Sequence, residues 1–264
     1  MVTFALRAGC ALLAVGVVLA QDPEPPVDPT LPARLKELKS MVGDKKMAED
    51  LRAVGLIQSL VREPEKLNPK DRTGLAKALG DVFRTGKVRP PGEDHVYREA
   101  GTALGRLDKD GSKFLARALA EKRIADNVPL QAHLIEALGR TKDDKQVDWL
   151  LEQAVRSPHD ELRAAAGSAL GEFTELDIKP RREVVKSMIR EWGALHSKAT
   201  EATSNDPNAP VDFGPENARK TLRAIETRWR KTLTRLTGQT MTNFLDWQHW
   251  LNKNQRWEPP APRK

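Results

Sequence analysis

Arg98-Glu99-Ala100-Gly101-Thr102-Ala103-Leu104-Gly105 returns as Leu134-Ile135-Glu136-Ala137-Leu138-Gly139, and again as Arg163-Ala164-Ala165-Ala166-Gly167-Ser168-Ala169-Leu170-Gly171. A fainter copy, Leu75-Ala76-Lys77-Ala78-Leu79-Gly80, precedes them. The closing glycines, Gly80, Gly105, Gly139 and Gly171, stand 25, 34 and 32 residues apart. Spacings of this size mark helical units that bury their apolar faces only by stacking on one another. Two roles are open to the closing glycines. Each ends a helix in the left-handed conformation, or each stands where a neighbouring helix comes too close for any side chain.

Working outward from the phrase, second helices are expected at 112–123, 145–156 and 181–193, each with an apolar stripe. The stripes are Phe114, Leu115, Ala118 and Leu119; then Val147, Leu150, Leu151, Ala154 and Val155; then Val184, Val185, Met188, Ile189 and Trp192. Asp108-Lys109-Asp110-Gly111 and Lys142-Asp143-Asp144 read as the turns between paired helices. The first is no calcium loop, because its glycine comes too early and no glutamate closes the frame. Upstream, helices are expected at 31–41 and 47–63, and Asn68-Pro69 opens another through Phe83. Lys87–Glu93, with two prolines and a glycine, is a break. Downstream, Ser197–Gly214 is turn chemistry without periodicity. Pro215 and Glu216 then open a basic helix to Leu236, with Leu222, Ile225, Trp229, Leu233 and Leu236 in one apolar sector. A last helix, about 243–253, carries Phe244, Trp247 and Trp250. Strand-like runs are absent, so the fold class is all-α.

The phrase, an arginine ahead of small residues and then Ala-Leu-Gly, resembles the HEAT-like repeat of the short bacterial kind, which also occurs in phycobilin lyases. The resemblance implies an α-solenoid of stacked helical pairs over 33–194. The turn chemistry makes 195–214 a linker, and the basic, tryptophan-bearing 215–264 is either a C-terminal helical cap over the last apolar face or a binding arm. The resemblance also implies a protein-binding scaffold whose second helices line the concave face. Leu236-Thr237-Gly238-Gln239, followed by Trp247-x-x-Trp250 and an asparagine-rich close, resembles a terminal segment of some exported HEAT-like proteins.

Met1–Gln21 carries one charge, Arg7, then an apolar run to Ala20 with Val18 and Ala20 at the small-residue positions. This reads as a secretory signal peptide cleaved after Ala20, which places the mature chain in the periplasm or outside the cell. The rival is an uncleaved anchor, since Phe4–Ala20 is nearly long enough to span. A proline-rich acidic spacer follows at 21–32, and no second apolar run of spanning length appears. Cys10 is the only cysteine, so the mature chain has no disulfide, thiolate metal site or cysteine nucleophile. Charge is uneven: residues 215–264 hold 11 Lys/Arg against 4 Asp/Glu, and the body before them is nearly neutral.

No phosphate loop, dinucleotide fingerprint, nucleophile elbow or His-x-x-x-His pair occurs, and the five histidines lack ligand spacing. The expectation is a non-enzyme without cofactor or metal, bound to an unknown protein partner. Trp149 lies opposite the apolar stripe of its helix, level with Lys113 and Glu183 on the neighbouring second helices. It is either an exposed binding hot spot or a residue packed across to the next repeat. The alternative function is a polyanion site for nucleic acid or an acidic envelope polymer, formed by Arg219, Arg223, Arg228, Arg230 and Lys231.

Overall fold

A computed structural model describes residues 25–201 and 212–259. The candidate signal peptide at 1–20, with Cys10, lies outside them. Among the described residues there are eleven α-helices and no strand. They are α1 (Leu31–Val42), α2 (Asp50–Leu60), α3 (Pro69–Val82), α4 (His95–Arg106), α5 (Lys109–Leu119), α6 (Val128–Arg140), α7 (Val147–Arg156), α8 (Asp160–Leu170), α9 (Ile178–Thr200), α10 (Gly214–Thr237) and α11 (Phe244–Lys253). None is long and apolar enough to cross a membrane.

Neighbouring helices pack as sequential pairs, and alternate helices fall into two rows. In one row α2, α4, α6, α8 and α10 stack in order. In the other α1, α3 and α5 stack, then α7, α9 and α11, with little direct contact between α5 and α7. The first row is the closer one, because the repeated phrase supplies glycine and alanine at its contacts. A Cβ on Gly105 would lie 2.9 Å from the Ala137 carbonyl oxygen, and one on Gly139 would lie 2.7 Å from the Ala169 Cα. Gly101 likewise leaves room for Leu134, and Gly167 for the Trp229 indole.

The closing glycines therefore serve close approach, and none of them has positive φ. The left-handed positions fall just beyond the helices, at Asp108 (φ 50°) and Lys142 (φ 49°). Gly80 belongs to the other row, where its missing side chain makes space for Phe114 of α5. The faint copy at 75–80 is thus out of phase, which explains the short 25-residue step to Gly105.

The boundaries of α5 and α9 differ from expectation for reasons of packing. Helix α5 starts at Lys109, so the turn shrinks to Leu107-Asp108, and Gly111 within α5 lets that helix fold back onto the Leu104 carbonyl. Helix α9 runs to Thr200, into the segment read as linker. Tertiary contacts hold that extra turn: Ala199 is buried, and Arg219 Nε donates to its carbonyl at 3.0 Å. The break at 87–93 conceals a buried ion pair. Arg89 is wholly enclosed and donates through Nε and Nη2 to the two Asp50 carboxylate oxygens, each at 2.6 Å.

Helix α10 ends the closer row and covers α8 and α9. Ile225, Trp229, Leu233 and Leu236 are buried in this contact. Polar groups fix its register: Thr232 Oγ1 donates to the Gly167 carbonyl at 2.7 Å, and Thr221 Oγ1 to Asp160 at 2.6 Å. Gly238 stops it in the left-handed conformation, with φ 72°.

Candidate functional site

Helix α11 is set against α9 by aromatic packing. Asn243 caps it, its Oδ1 accepting from the Asp246 N–H at 2.9 Å. Phe244 lies against Trp192 and stacks on His196, the ring centroids 5.4 Å apart in the stack. A side chain on Gly193 would collide with that ring. Trp247 is fully buried, Trp250 meets it edge-on at 5.8 Å, and Trp257 meets Trp250 at the same distance. The chain beyond α11 is pinned by Arg182, whose Nε donates to the Trp257 carbonyl and whose Nη2 donates to the carbonyls of Arg256 and Trp257.

These contacts leave a groove of about 730 Å³ between α9 and α11. One wall is basic, with Arg182, Lys186 and Arg190 on successive turns of α9. The other carries the amides of Gln248, Asn252 and Gln255. Phe244, Leu251 and Trp257 supply the apolar lining. Lys186 and Arg190 are exposed and have no ion pair or hydrogen bond among the described residues. Glu183 is the one carboxylate of the lining. Its distance from Ser197, the one hydroxyl, is fourteen residues along α9, or roughly 21 Å. Glu183 instead accepts from the Ser187 hydroxyl at 3.4 Å, and the donors of the groove suit the binding of anionic groups.

The expected partner residues are spread out. Glu183 lines this groove, whereas Lys113 on α5 and Trp149 on α7 lie outside it. Trp149 is half-buried and packs against the core, and the Lys113 ammonium sits 5.0 Å above the Phe114 ring. The expected polyanion residues divide. Arg219 is spent on the Ala199 carbonyl, Arg230 on the Thr242 carbonyl, and Arg228 on Glu136 of α6, reaching across α8. Arg235 pairs with Glu172 at 2.7 Å. Arg223 and Lys231 are exposed, without a partner among the described residues.

Sequence reasoning passed over Arg182, Lys186 and Arg190. Their four-residue spacing was a visible signal, since it aligns them on one helix face. The facing wall was not visible, because α11 reaches α9 only through tertiary packing. Elsewhere, His133 places Nε2 3.0 Å from both the Arg98 carbonyl and Thr102 Oγ1. Burial is the larger influence and holds its pKa below 6.5, although the Arg98 carbonyl works the other way. No group of three His, Cys, Asp or Glu side chains able to hold a metal occurs among the described residues.

Comparison with models of protein families, with curated proteins and with solved structures finds no match.

Proposed function

We propose that this chain is an exported, non-enzymatic α-solenoid of HEAT-like helical pairs that binds another protein. The observation that carries the reading is the glycine contact repeated in the closer row, Gly105 on Ala137 and then Gly139 on Ala169. Equivalent residues make equivalent contacts in successive units, as stacked repeats require. Such stacks present long, open faces suited to a protein partner rather than a small enclosed substrate. Helices α10 and α11 close the C-terminal end, and the leader at 1–20 directs export.

Cross-linking of the full chain in its native envelope, followed by mass spectrometry, tests this. The expected result is a small set of partner proteins whose cross-links persist in high salt. The mature chain is expected to begin at Gln21. Capture of nothing specific, or an intact leader in the membrane fraction, overturns the respective half of the reading.

The second reading is polyanion binding through α10, and the exposed Arg223 and Lys231, without a partner among the described residues, favour it. Phosphate-type contacts lose affinity steeply with salt, so a salt titration separates the two.

A further inference from the structure

We infer that the groove between α9 and α11 is the partner site, and that its partner is an extended peptide bearing carboxylates at alternate positions. The inference rests on the protein-binding reading above. Arg182, Lys186 and Arg190 follow one another at four-residue steps, each roughly 6 Å along the helix axis. An extended peptide places alternate side chains on one face at about 6.6–6.8 Å. Three acidic side chains at i, i+2 and i+4 therefore come into register with the three cations. A five-residue stretch of this kind covers the basic wall, which is about 12 Å long.

The other wall suits the peptide main chain. Gln248, Asn252 and Gln255 each offer a donor and an acceptor, which is what exposed N–H and C=O groups need. Gln248 and Asn252 already hold each other, Nε2 to Oδ1 at 3.1 Å, and so are aligned along the groove.

The basic wall is prepared for an anion. Arg182 is fixed by its bonds to the Arg256 and Trp257 carbonyls through Nε and Nη2, while its Nη1 makes no hydrogen bond among the described residues. Like charges four residues apart disfavour their own helix. Glu183 on the same wall offsets part of this charge, and bound carboxylates relieve the repulsion that remains among Arg182, Lys186 and Arg190. Single-stranded nucleic acid fits less well, because it needs open aromatic faces for its bases. Phe244 is already stacked on His196, and Trp257 is buried.

The test is fluorescence anisotropy of the full mature chain with a labelled synthetic peptide of about nine residues, aspartates alternating with serines. Saturable binding is expected, weakened roughly tenfold or more in the double variant Lys186→Glu, Arg190→Glu. The control double variant Arg223→Glu, Lys231→Glu on α10 is expected to bind as the parent does. All four positions are exposed, so both variants are expected to melt with the parent. A peptide with the same aspartates in one block is expected to bind more weakly. No saturable binding, equal loss in both variants, or equal competition by oligothymidylate or polyuronate overturns the inference. A chain that ignores the peptide yet still cross-links to a protein elsewhere sinks this inference alone. A chain that cross-links to no protein removes the protein-binding reading and this inference with it.

Discussion

An alanine in place of Gly139 puts a methyl group 2.6 Å from the Ala169 Cβ and 2.8 Å from its carbonyl oxygen. Backbone cannot yield as a flexible side chain does, so α6 and α8 must separate. Gly139→Ala is expected to destabilise by about 1–3 kcal/mol in urea unfolding, as overpacked cores do. Gly55 in α2 is the opposite case, with nothing near the position of its missing Cβ. Gly55→Ala is expected to stabilise by about 0.5–1 kcal/mol, since alanine loses less entropy in a helix. A like comparison separates two buried tryptophans. Trp229 Nε1 donates to the Arg163 carbonyl at 3.3 Å, whereas Trp247 Nε1 has no partner among the described residues. Trp247→Phe removes a buried unsatisfied donor and is expected to cost less stability than Trp229→Phe, which loses the bond to the Arg163 carbonyl. At His133 the folded pKa lies below the unfolded value of 6.5. Its contribution is whole above that pH and is lost as pH falls through the lowered folded value. The melting temperature is expected to decline from pH 7 toward pH 5, and the decline to be shallower in His133→Gln.

Helix α10 shows how one element serves both the stack and its surface. Its buried sector contains Trp229 and three large aliphatics, each contributing on the order of 1.5–3 kcal/mol on leaving water. Its exposed pairs, Arg228 with Glu136 and Arg235 with Glu172, contribute roughly 0–1 kcal/mol each. Burial decides the role of the helix. Deleting 215–264 uncovers α8 and α9 and is expected to lower the melting temperature and promote aggregation of the remaining helices. A truncated chain that melts with the parent shows instead that the segment is a tethered binding arm. Helix α9 carries the same double duty. Its apolar stripe, Val184, Val185, Met188, Ile189 and Trp192, is buried, and its basic stripe faces the groove.

Across the whole molecule, each helix touches those near it in sequence, and the long-range links pass from neighbour to neighbour within the two rows. On the repeat reading proposed above, stability is a sum of local terms and interfaces. Amide hydrogen exchange is therefore expected to be slowest in α6 and α8, which have neighbours on both sides in the closer row. It is expected to be fastest in α1 and α11, at the ends. Uniform protection along the chain shows instead that the array opens as one unit.

The repeated Ala-Leu-Gly phrase and the apolar stripes by themselves determined an all-α chain with most of its helices in place, because local periodicity reports which face is buried. Asn68 as a cap was equally legible, since it acts on a backbone group two residues away. Tertiary structure alone decided what the glycines are for, since Gly105 and Gly139 owe their role to Ala137 and Ala169, some thirty residues further on. It also decided that Gly80 belongs to the other row, that Arg89 is enclosed with Asp50, and that α9 continues to Thr200. The groove required both kinds of information. Its cations are a pattern on one helix, and its amides come from another helix that packing brings opposite.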